Sequence, residues 1–433
     1  MKTNINRAYF IIFLFLTTLL PQITYGSTVD VIKIDGIINP VAADFIGQAI
    51  KQASNDSAEC LVIELDTPGG LVESTRLIIK DMIASDVPVV VYVMPGGARA
   101  ASAGTFITIA SHIAAMTPGT HIGAAHPVNM QGGEDEKSTM FKKIENDMAA
   151  YIKSMATQRG RNAEWAEKAV RESVSITAEE ALKNNIIDLI CKDTKELLEK
   201  INGRKVIIKE KERILNTTGA SITRIEMSFQ QKFFNVISDP NIAYILFLVG
   251  LVGIYFELQS PGLIFPGIAG VISLILAFFG MQTLPINYAG LALIIFGIFL
   301  FIIELYVPSY GLLTTGGVIS FVLGSMMLID TPYPFLRISL GVIIPVALAI
   351  AAIFFFVVGA VIRAHRAPVK TGYEGLIGEH GTADTDILEH GKILVHGEIW
   401  DAESDEPIKK GDEIEVTGSA GSERMVLKVR KKS

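Results

Sequence analysis

The sequence has little charge and very little cysteine. Charged residues make up 19% of its 433 residues, against about 25% in a typical soluble chain. The two cysteines, Cys60 and Cys191, show no C-x-x-C spacing, so we expect neither a zinc site nor a disulfide framework. The formal net charge is -7. No run of basic residues suits a phosphate backbone, so we expect no nucleic acid partner. No metal or other cofactor is expected.

The charge deficit is concentrated between Pro240 and Val361. Crossing a bilayer takes about 20 apolar residues. The stretch predicts five spans, near 241–256, 263–281, 288–306, 312–329 and 338–362. Two similar segments, "ELQSPGLIFPGIAGVIS" and "ELYVPSYGLLTTGGVIS", begin at Glu257 and Glu304, 47 residues apart. We interpret them as a parallel internal repeat of two hairpins. Both glutamates stand at span ends, which favours interfacial residues over a proton relay.

The first 26 residues follow the plan of a cleavable signal peptide, with a basic head and an apolar stretch. An uncleaved anchor is the alternative. After the last span, "RAHRAPVK" carries Arg363, Arg366 and Lys370, and the positive-inside rule places this end in the cytoplasm. Five crossings that start outside also finish inside. We therefore predict a multi-pass protein of the bacterial inner membrane, with its N-terminal domain periplasmic.

Strand-like and helix-like patterns alternate from Val29 to Cys191, which predicts an α/β domain with a mostly parallel sheet. From Tyr373 to the end, short alternating strands separated by glycines predict a small all-β barrel of OB type. Trp400 is assigned to the barrel core, and the barrel is interpreted as a docking or assembly module. The predicted domains are a signal peptide (1–26), the α/β domain (27–200), a linker with an amphipathic juxtamembrane segment (201–237), an all-α membrane domain of five spans (238–365) and the barrel (373–433).

Ser102 lies among small residues at a predicted helix start, in "GGARAASAGT". A second glycine turn, "LDTPGGL", is expected to leave the backbone N–H groups of Gly69, Gly70 and Leu71 unpaired. Such N–H groups can stabilise a developing oxyanion. The pattern leaves two roles open for Ser102, a nucleophile and a helix N-cap. Ser111, deeper in the apolar pattern, is predicted to be structural.

A serine nucleophile requires a base. The sequence offers His126 in "GAAHPV", and Lys142 and Lys143 at the start of a long helix. A lysine amine can serve when apolar surroundings hold it neutral. Residue patterns alone do not separate these three candidates.

Four segments, "TPGG", "RAASAGTFI", "PGTHIGAAHPV" and "AYIKSMATQRGRNAEWAEK", resemble the membrane-bound serine proteases of the nodulation-formation-efficiency D (NfeD) family. These are relatives of the caseinolytic protease ClpP and of signal peptide peptidase A. The resemblance covers nearly the whole chain and implies a ClpP/crotonase-like fold for the α/β domain. It implies a Ser–Lys dyad of Ser102 and Lys143, with the backbone N–H groups of Gly70 and Ala103 as oxyanion donors. His126 with Glu172 is the alternative base arrangement.

The resemblance also implies a function. It indicates an endopeptidase that cleaves hydrophobic segments of membrane-associated proteins, with a stomatin/prohibitin/flotillin-type protein as substrate or partner. It further implies contact with membrane lipid and a homodimer or higher homo-oligomer. Two other functions are weighed against this one. The chain would be either a non-catalytic scaffold for the stomatin-type partner or an acyl-CoA-processing enzyme of the crotonase type, since fold alone does not fix chemistry.

Overall fold

The structure, a computed structural model, describes residues 27–127, 139–260, 262, 264–282, 284–307, 309, 311–331, 334–366, 373–419 and 426–432. The predicted signal peptide lies outside this set. The chain divides into two compact units. One contains the described residues up to Gly297 together with Ile319–Val346, and the other contains Ile298–Val318 and the residues from Ala347 onward.

A six-stranded parallel sheet forms the centre of the N-terminal domain, with strand order β11-β1-β2-β3-β5-β8. Its strands are β1 (Thr28–Asp35), β2 (Leu61–Asp66), β3 (Val89–Val93), β5 (Ile113–Met116), β8 (Leu189–Ile190) and β11 (Ser221–Arg224). The four central strands are the apolar runs that the sequence predicts. They are buried on both faces, as expected for a parallel sheet covered by crossover helices. The predicted α/β fold is therefore confirmed.

In the described part of this domain, seven helices accompany the sheet: α1 (Pro40–Asn55), α2 (Val72–Ala84), α3 (Ala103–Ala110), α4 (Thr139–Gln158), α5 (Ala163–Arg171), α6 (Ala178–Lys183) and α7 (Thr194–Ile201). A capping box closes the start of α6, with the Thr177 and Glu180 side chains each accepting from the other residue's backbone N–H. A second, three-stranded sheet is separate from the large one. Its strands are β4 (Arg99–Ala101), β6 (His121–Gly123) and β7 (Ser175–Thr177), in the order β4-β6-β7.

The connector after α7, predicted as part of a linker (201–237), contains regular strands. It forms an antiparallel hairpin, β9 (Lys205–Ile208) with β10 (Lys211–Ile214), and then β11. β11 extends the large sheet by pairing in parallel with β1. Arg224 of β11 donates two hydrogen bonds to the carboxylate of Glu64, at 2.9 and 3.1 Å. Glu64 is almost fully buried, so this paired arginine supplies the charge partner that a buried carboxylate needs.

Among the residues described after β11, six further α-helices follow: α8 (Phe229–Ile237), α9 (Pro240–Gln259), α10 (Ile264–Met281), α11 (Tyr288–Tyr306), α12 (Leu312–Met327) and α13 (Leu340–Arg366). By length and composition, α9 and α10 are long and apolar enough to cross a membrane. Shorter apolar helical stretches occupy Tyr288–Glu304, Leu312–Met327 and Leu340–Phe356. The five apolar segments predicted from the sequence therefore correspond to helices.

Glu304, one of the two repeated glutamates, has a structural role. Its carboxylate accepts hydrogen bonds from the Ser309 hydroxyl at 2.6 Å and from the backbone N–H groups of Gly311 and Thr314, both at 3.0 Å. The side chain is buried at the first turn of α12. A carboxylate at a helix N-terminus satisfies unpaired N–H groups and the positive end of the helix dipole. Its interactions are those of a cap, not of a proton carrier.

The C-terminal strands close into a barrel of order β12-β13-β14-β16-β15. They are β12 (His380–Ala383), β13 (His390–Val395), β14 (Glu398–Glu403), β15 (Glu413–Ser419) and β16 (Val426–Lys431). Five strands in the order 1-2-3-5-4, with β14 and β16 parallel, match the predicted OB-type barrel. Trp400 packs against the barrel core and is partly buried, in line with its predicted role.

Candidate active site

Ser102 lies between β4 and α3 in a strained backbone conformation. Its φ is 50° and its ψ is -111°, a region that residues other than glycine rarely adopt and that costs about 1–3 kcal/mol. The backbone N–H of Ser102 donates to the carbonyl of Gly123 at 3.0 Å. The side chain makes no capping hydrogen bond to α3. The hydroxyl therefore does not act as an N-cap. No capping hydrogen bond from this side chain accounts for the strained backbone conformation.

Thr105 holds this strained turn in place. Its buried hydroxyl bridges the carbonyl oxygens of Ala100 and Gly123, at 2.9 and 2.8 Å, and accepts from the N–H of Gly123 at 3.1 Å. These bonds tie α3 to β4 and to β6 on either side of Ser102. The surrounding structure thus over-determines the serine conformation, which is how backbone strain persists at a functional site.

The glycine turn after β2 differs in one respect from the sequence prediction. Two of the three N–H groups expected to be unpaired are in fact bonded: Gly69 donates to the Thr67 hydroxyl at 3.0 Å, and Leu71 donates to the Ile38 carbonyl at 2.9 Å. The prediction was therefore wrong for these two residues, because neighbouring elements supply acceptors. The N–H of Gly70 has no acceptor within the described part of the chain.

Ala103, the residue after Ser102, also has an N–H group with no acceptor among the described residues. It is the first residue of α3, where a helix leaves its N–H groups free. Gly69 brings the other turn against the serine, since a Cβ built on Gly69 would lie 2.7 Å from Ser102 Cβ and 3.2 Å from Ser102 Oγ. The structure thus brings together the hydroxyl of Ser102 and the glycine turn that contains Gly70.

This close approach yields a prediction for Gly69→Ala, with Gly36→Ala as its matched control. Both glycines have nearly the same positive φ, +125° and +123°, but a Cβ on Gly36 would meet nothing within 4 Å. Both changes carry a strain cost of about 1–3 kcal/mol. Only Gly69→Ala pushes against Ser102, and it should slow the reaction of Ser102 with a serine-directed fluorophosphonate probe by on the order of 10- to 100-fold, since small displacements of reacting groups are costly. Equal losses of probe labelling in the two variants would show that strain, not contact, is responsible.

Lys143 lies near the start of α4 and its side chain is exposed, as is that of Lys142. The expectation that apolar walls surround the amine is therefore not met in this single chain. Elsewhere α4 packs on the site elements. Tyr151 stacks on Phe106 of α3 with ring centroids 6.3 Å apart, and the Arg76 guanidinium of α2 lies 5.0 Å from the Tyr151 ring. Burial raises the pKa of the Tyr151 hydroxyl above its usual value, and the Arg76 charge partly opposes this shift.

His126, the alternative base, is already engaged. Its Nδ1–H donates to the backbone carbonyl of Val170 at 2.7 Å, and not to a carboxylate of Glu172. The ring also contacts Phe141, two residues before Lys143, at a centroid distance of 5.5 Å. The imidazole thus fixes the start of α4 to the loop after β6. No group of three or more His, Cys, Asp or Glu side chains in the described residues is arranged to hold a metal ion.

Sequence reasoning missed the residues that support this site. Thr67 and Thr105 organise the two turns, and Arg76 joins α2 to α4 through a salt bridge with Asp147. A signal was present for the threonines, since each stands beside a glycine turn, in "LDTPGG" and "SAGT". Buried hydroxyls next to such turns commonly bond the backbone. The long-range Arg76 contact has no counterpart in local sequence.

Three family models match the chain in order. They are the NfeD1b N-terminal domain (28–228), the NfeD integral membrane domain (241–360) and the NfeD-like C-terminal, partner-binding domain (373–431). The chain is 38% identical over 417 residues to membrane-bound protease PH1510 of Pyrococcus horikoshii, an alignment that covers 93% of each. It is 26% identical over 415 residues to membrane protein NfeD1b of Bacillus subtilis, covering 90% of this chain and 91% of that one. The chain is a membrane protein and belongs to the long form of the NfeD family.

A solved structure is also similar to part of the chain. It is the 1510-N membrane-bound stomatin-specific protease, as a lysine-to-alanine mutant in complex with a substrate peptide. It shares 39% identity, covers 49% of this chain and 98% of its own, and superposes with a TM-score of 0.46.

Proposed function

We propose that this serine protease of the NfeD family attacks peptide bonds with the Ser102 hydroxyl. The observation that carries the proposal is the turn itself: a strained serine that makes no capping bond and lies close to Gly69, with the N–H groups of Gly70 and Ala103 free of acceptors in the described part of the chain. Serine proteases combine a nucleophilic hydroxyl with backbone N–H donors in this way. The 38% identity with a membrane-bound protease over 93% of both chains supports the same chemistry.

In the proposed reaction, Ser102 Oγ bonds to the scissile carbonyl carbon while its proton passes to the neutral amine of Lys143. The carbonyl π electrons move to the oxygen, and the resulting oxyanion accepts hydrogen bonds from the N–H groups of Gly70 and Ala103. Collapse breaks the C–N bond, and the Lys143 ammonium returns the proton to the leaving amine. A water molecule then hydrolyses the acyl ester by the same route.

The proposal requires Lys143 to approach Ser102, and the position of the start of α4 supports it. His126 and Phe141 fix the start of α4 beside the loop that follows Gly123, the residue that bonds the Ser102 N–H. We infer that substrate binding or a second protomer covers the exposed amine and removes water from it, which favours the neutral form.

A hydrophobic substrate segment suits the exposed apolar side chains on the site helices. Met140 and Ile144 flank Lys143 and are 57% and 39% exposed, and Val72, at the start of α2, is 40% exposed. Exposed apolar side chains grouped on a site element favour an apolar ligand. We propose a segment of a stomatin-type membrane protein as the substrate. We further propose a homo-oligomer of five-span chains, with the protease domain extracytoplasmic and the barrel cytoplasmic.

The substrate proposal is tested with purified full-length chain and two peptides of equal length. One is an apolar segment from a stomatin-type protein, and the other has every second apolar residue replaced by serine. Mass spectrometry of the products is expected to show internal cleavage of the apolar peptide only, because the apolar side chains lining the site helices gain by burying it. Equal cleavage of both peptides would contradict the hydrophobic preference, and no cleavage of either by the wild-type chain would contradict the protease.

A further inference from the structure

The juxtamembrane helix α8 contacts the protease domain through its polar side chains. Gln231 donates from its side-chain amide to Asp44 at 3.2 Å and to Gln48 at 3.1 Å, both on α1. Asn39, which precedes α1, donates from its side-chain amide to Asn235 at 2.9 Å. These bonds join α8 to α1 across more than 180 residues of sequence. The helix is therefore held against the protease domain and is more than a linker.

The other end of α8 is fixed to the membrane helices. Ile237 is almost fully buried, and the Phe234 ring lies 4.9 Å from the Phe279 ring of α10. α9 begins at Pro240, and the matched integral membrane domain begins at residue 241. α8 therefore lies directly at the edge of the membrane domain.

A third face of α8 is largely exposed, and Phe233 on this face contacts the ring of its own neighbour in the helix, Phe234. Phe229, Phe233 and Val236 are 86%, 43% and 56% exposed. Their spacing of four and three residues places them in one row along the helix. A short helix with an apolar row and a polar row, next to a membrane span, has the character of a helix that lies in the bilayer interface. The position of α8 beside the membrane domain selects lipid as the occupant of this face.

Asn39 links α8 to the candidate oxyanion turn. Its side chain caps α1 by accepting from the Ala42 N–H at 2.8 Å. The preceding residue, Ile38, donates its N–H to the Gly69 carbonyl and accepts from the Leu71 N–H, both at 2.9 Å. These two bonds frame Gly70 from both sides. Movement of Asn39 would therefore be transmitted to the free N–H of Gly70.

We propose that α8 lies on the bilayer surface with Phe229, Phe233 and Val236 among the lipids, and that the Asn235–Asn39 bond uses this anchor to position the Gly70 N–H. Asn235 is thus a positioning residue for the reaction. The second half of this inference rests on the proposed function, whereas the lipid contact does not. The protease would then be most active when its membrane domain is in a bilayer.

The lipid contact is tested in full-length chain carrying Ser102→Ala, which removes the proposed activity. Phe233→Trp is compared with Leu182→Trp, a position of equal exposure on α6 (43% and 42%). Both are reconstituted in phosphatidylcholine–phosphatidylglycerol vesicles with and without brominated acyl chains. Bromine is expected to quench most of the fluorescence added by Phe233→Trp and little of that added by Leu182→Trp. Equal quenching overturns the proposal, as does a signal that changes with protein concentration and not with bromination, which would assign the face to a second copy.

The positioning role is tested in the active chain in vesicles. Asn235→Ala removes the acceptor, whereas Asn235→Asp keeps an oxygen at the same place. Because a misplacement of about 1 Å at a reacting group costs on the order of 100-fold, we expect a fall of about tenfold in kcat for Asn235→Ala with little change in KM. Asn235→Asp should restore kcat. Full activity of Asn235→Ala beside an inactive Ser102→Ala chain would refute the positioning role alone, and an active Ser102→Ala chain would refute the proposed function.

Discussion

Ser102→Ala is expected to lower peptide cleavage by at least about 10³-fold, the scale on which serine proteases lose activity without their nucleophile. The same change should leave the melting temperature nearly unaltered. The hydroxyl caps nothing at the start of α3, so its removal breaks no capping bond. The measurement is kcat/KM on the apolar peptide, with thermal unfolding of the same preparation. A fluorophosphonate probe should label the wild-type chain at Ser102 and fail to label the variant.

Ser111→Ala supplies a matched control at the other end of the same helix. The Ser111 hydroxyl donates to the carbonyls of Thr108 and Ile113, at 2.7 and 3.0 Å, and is fully buried. Its loss should destabilise the domain by about 1–2 kcal/mol and leave kcat almost unchanged. We therefore expect Ser102→Ala to lose activity and keep its stability, and Ser111→Ala to lose stability and keep its activity. A stable, active Ser102→Ala chain would return Ser102 to the role of a structural residue.

The parallel sheet was predictable because its strands are buried. β1, β2, β3 and β5 appear in sequence as apolar runs separated by helical patterns, and that alternation has few structural solutions. β11 gave no such signal. Its four residues, "SITR", are exposed and only one of them is apolar, and they become a strand only because β1 offers a free edge from Thr28 to Val31. A strand that is defined by its neighbour cannot be recognised from its own periodicity.

The candidate site was predictable to a similar degree. Glycine and small residues at the two turns indicated where backbone N–H groups approach a serine. Two of those N–H groups are not free, because the Leu71 N–H donates to the Ile38 carbonyl and the Gly69 N–H donates to the Thr67 hydroxyl. Local sequence contains no record of the Ile38 contact, because it is made by a segment that precedes β2. The choice of base is the extreme case, since Lys142 and Lys143 are adjacent, both exposed and of the same residue type.

Lys143→Ala is expected to reduce kcat/KM by about 10²- to 10⁴-fold, the contribution typical of a general base. Lys142→Ala is the matched control, with the same residue type and an exposed neighbouring position, and should keep nearly full activity. The loss in Lys143→Ala should be partly restored by a small primary amine such as ethylamine, because the vacated space admits a base of the same chemistry. Neither Lys142→Ala nor Ser102→Ala should respond to the amine.

A different result is expected if His126 is the general base. If His126 took the proton, His126→Ala would lose activity that imidazole restores, and Lys143→Ala would lose little. The structure favours a smaller, structural effect for His126→Ala, since its Nδ1–H is bonded to the Val170 carbonyl and its ring supports Phe141 at the start of α4. We expect His126→Ala to lower the melting temperature and to reduce cleavage without rescue by imidazole. Rescue by imidazole, together with a nearly active Lys143→Ala chain, would replace the proposed dyad by a Ser–His arrangement.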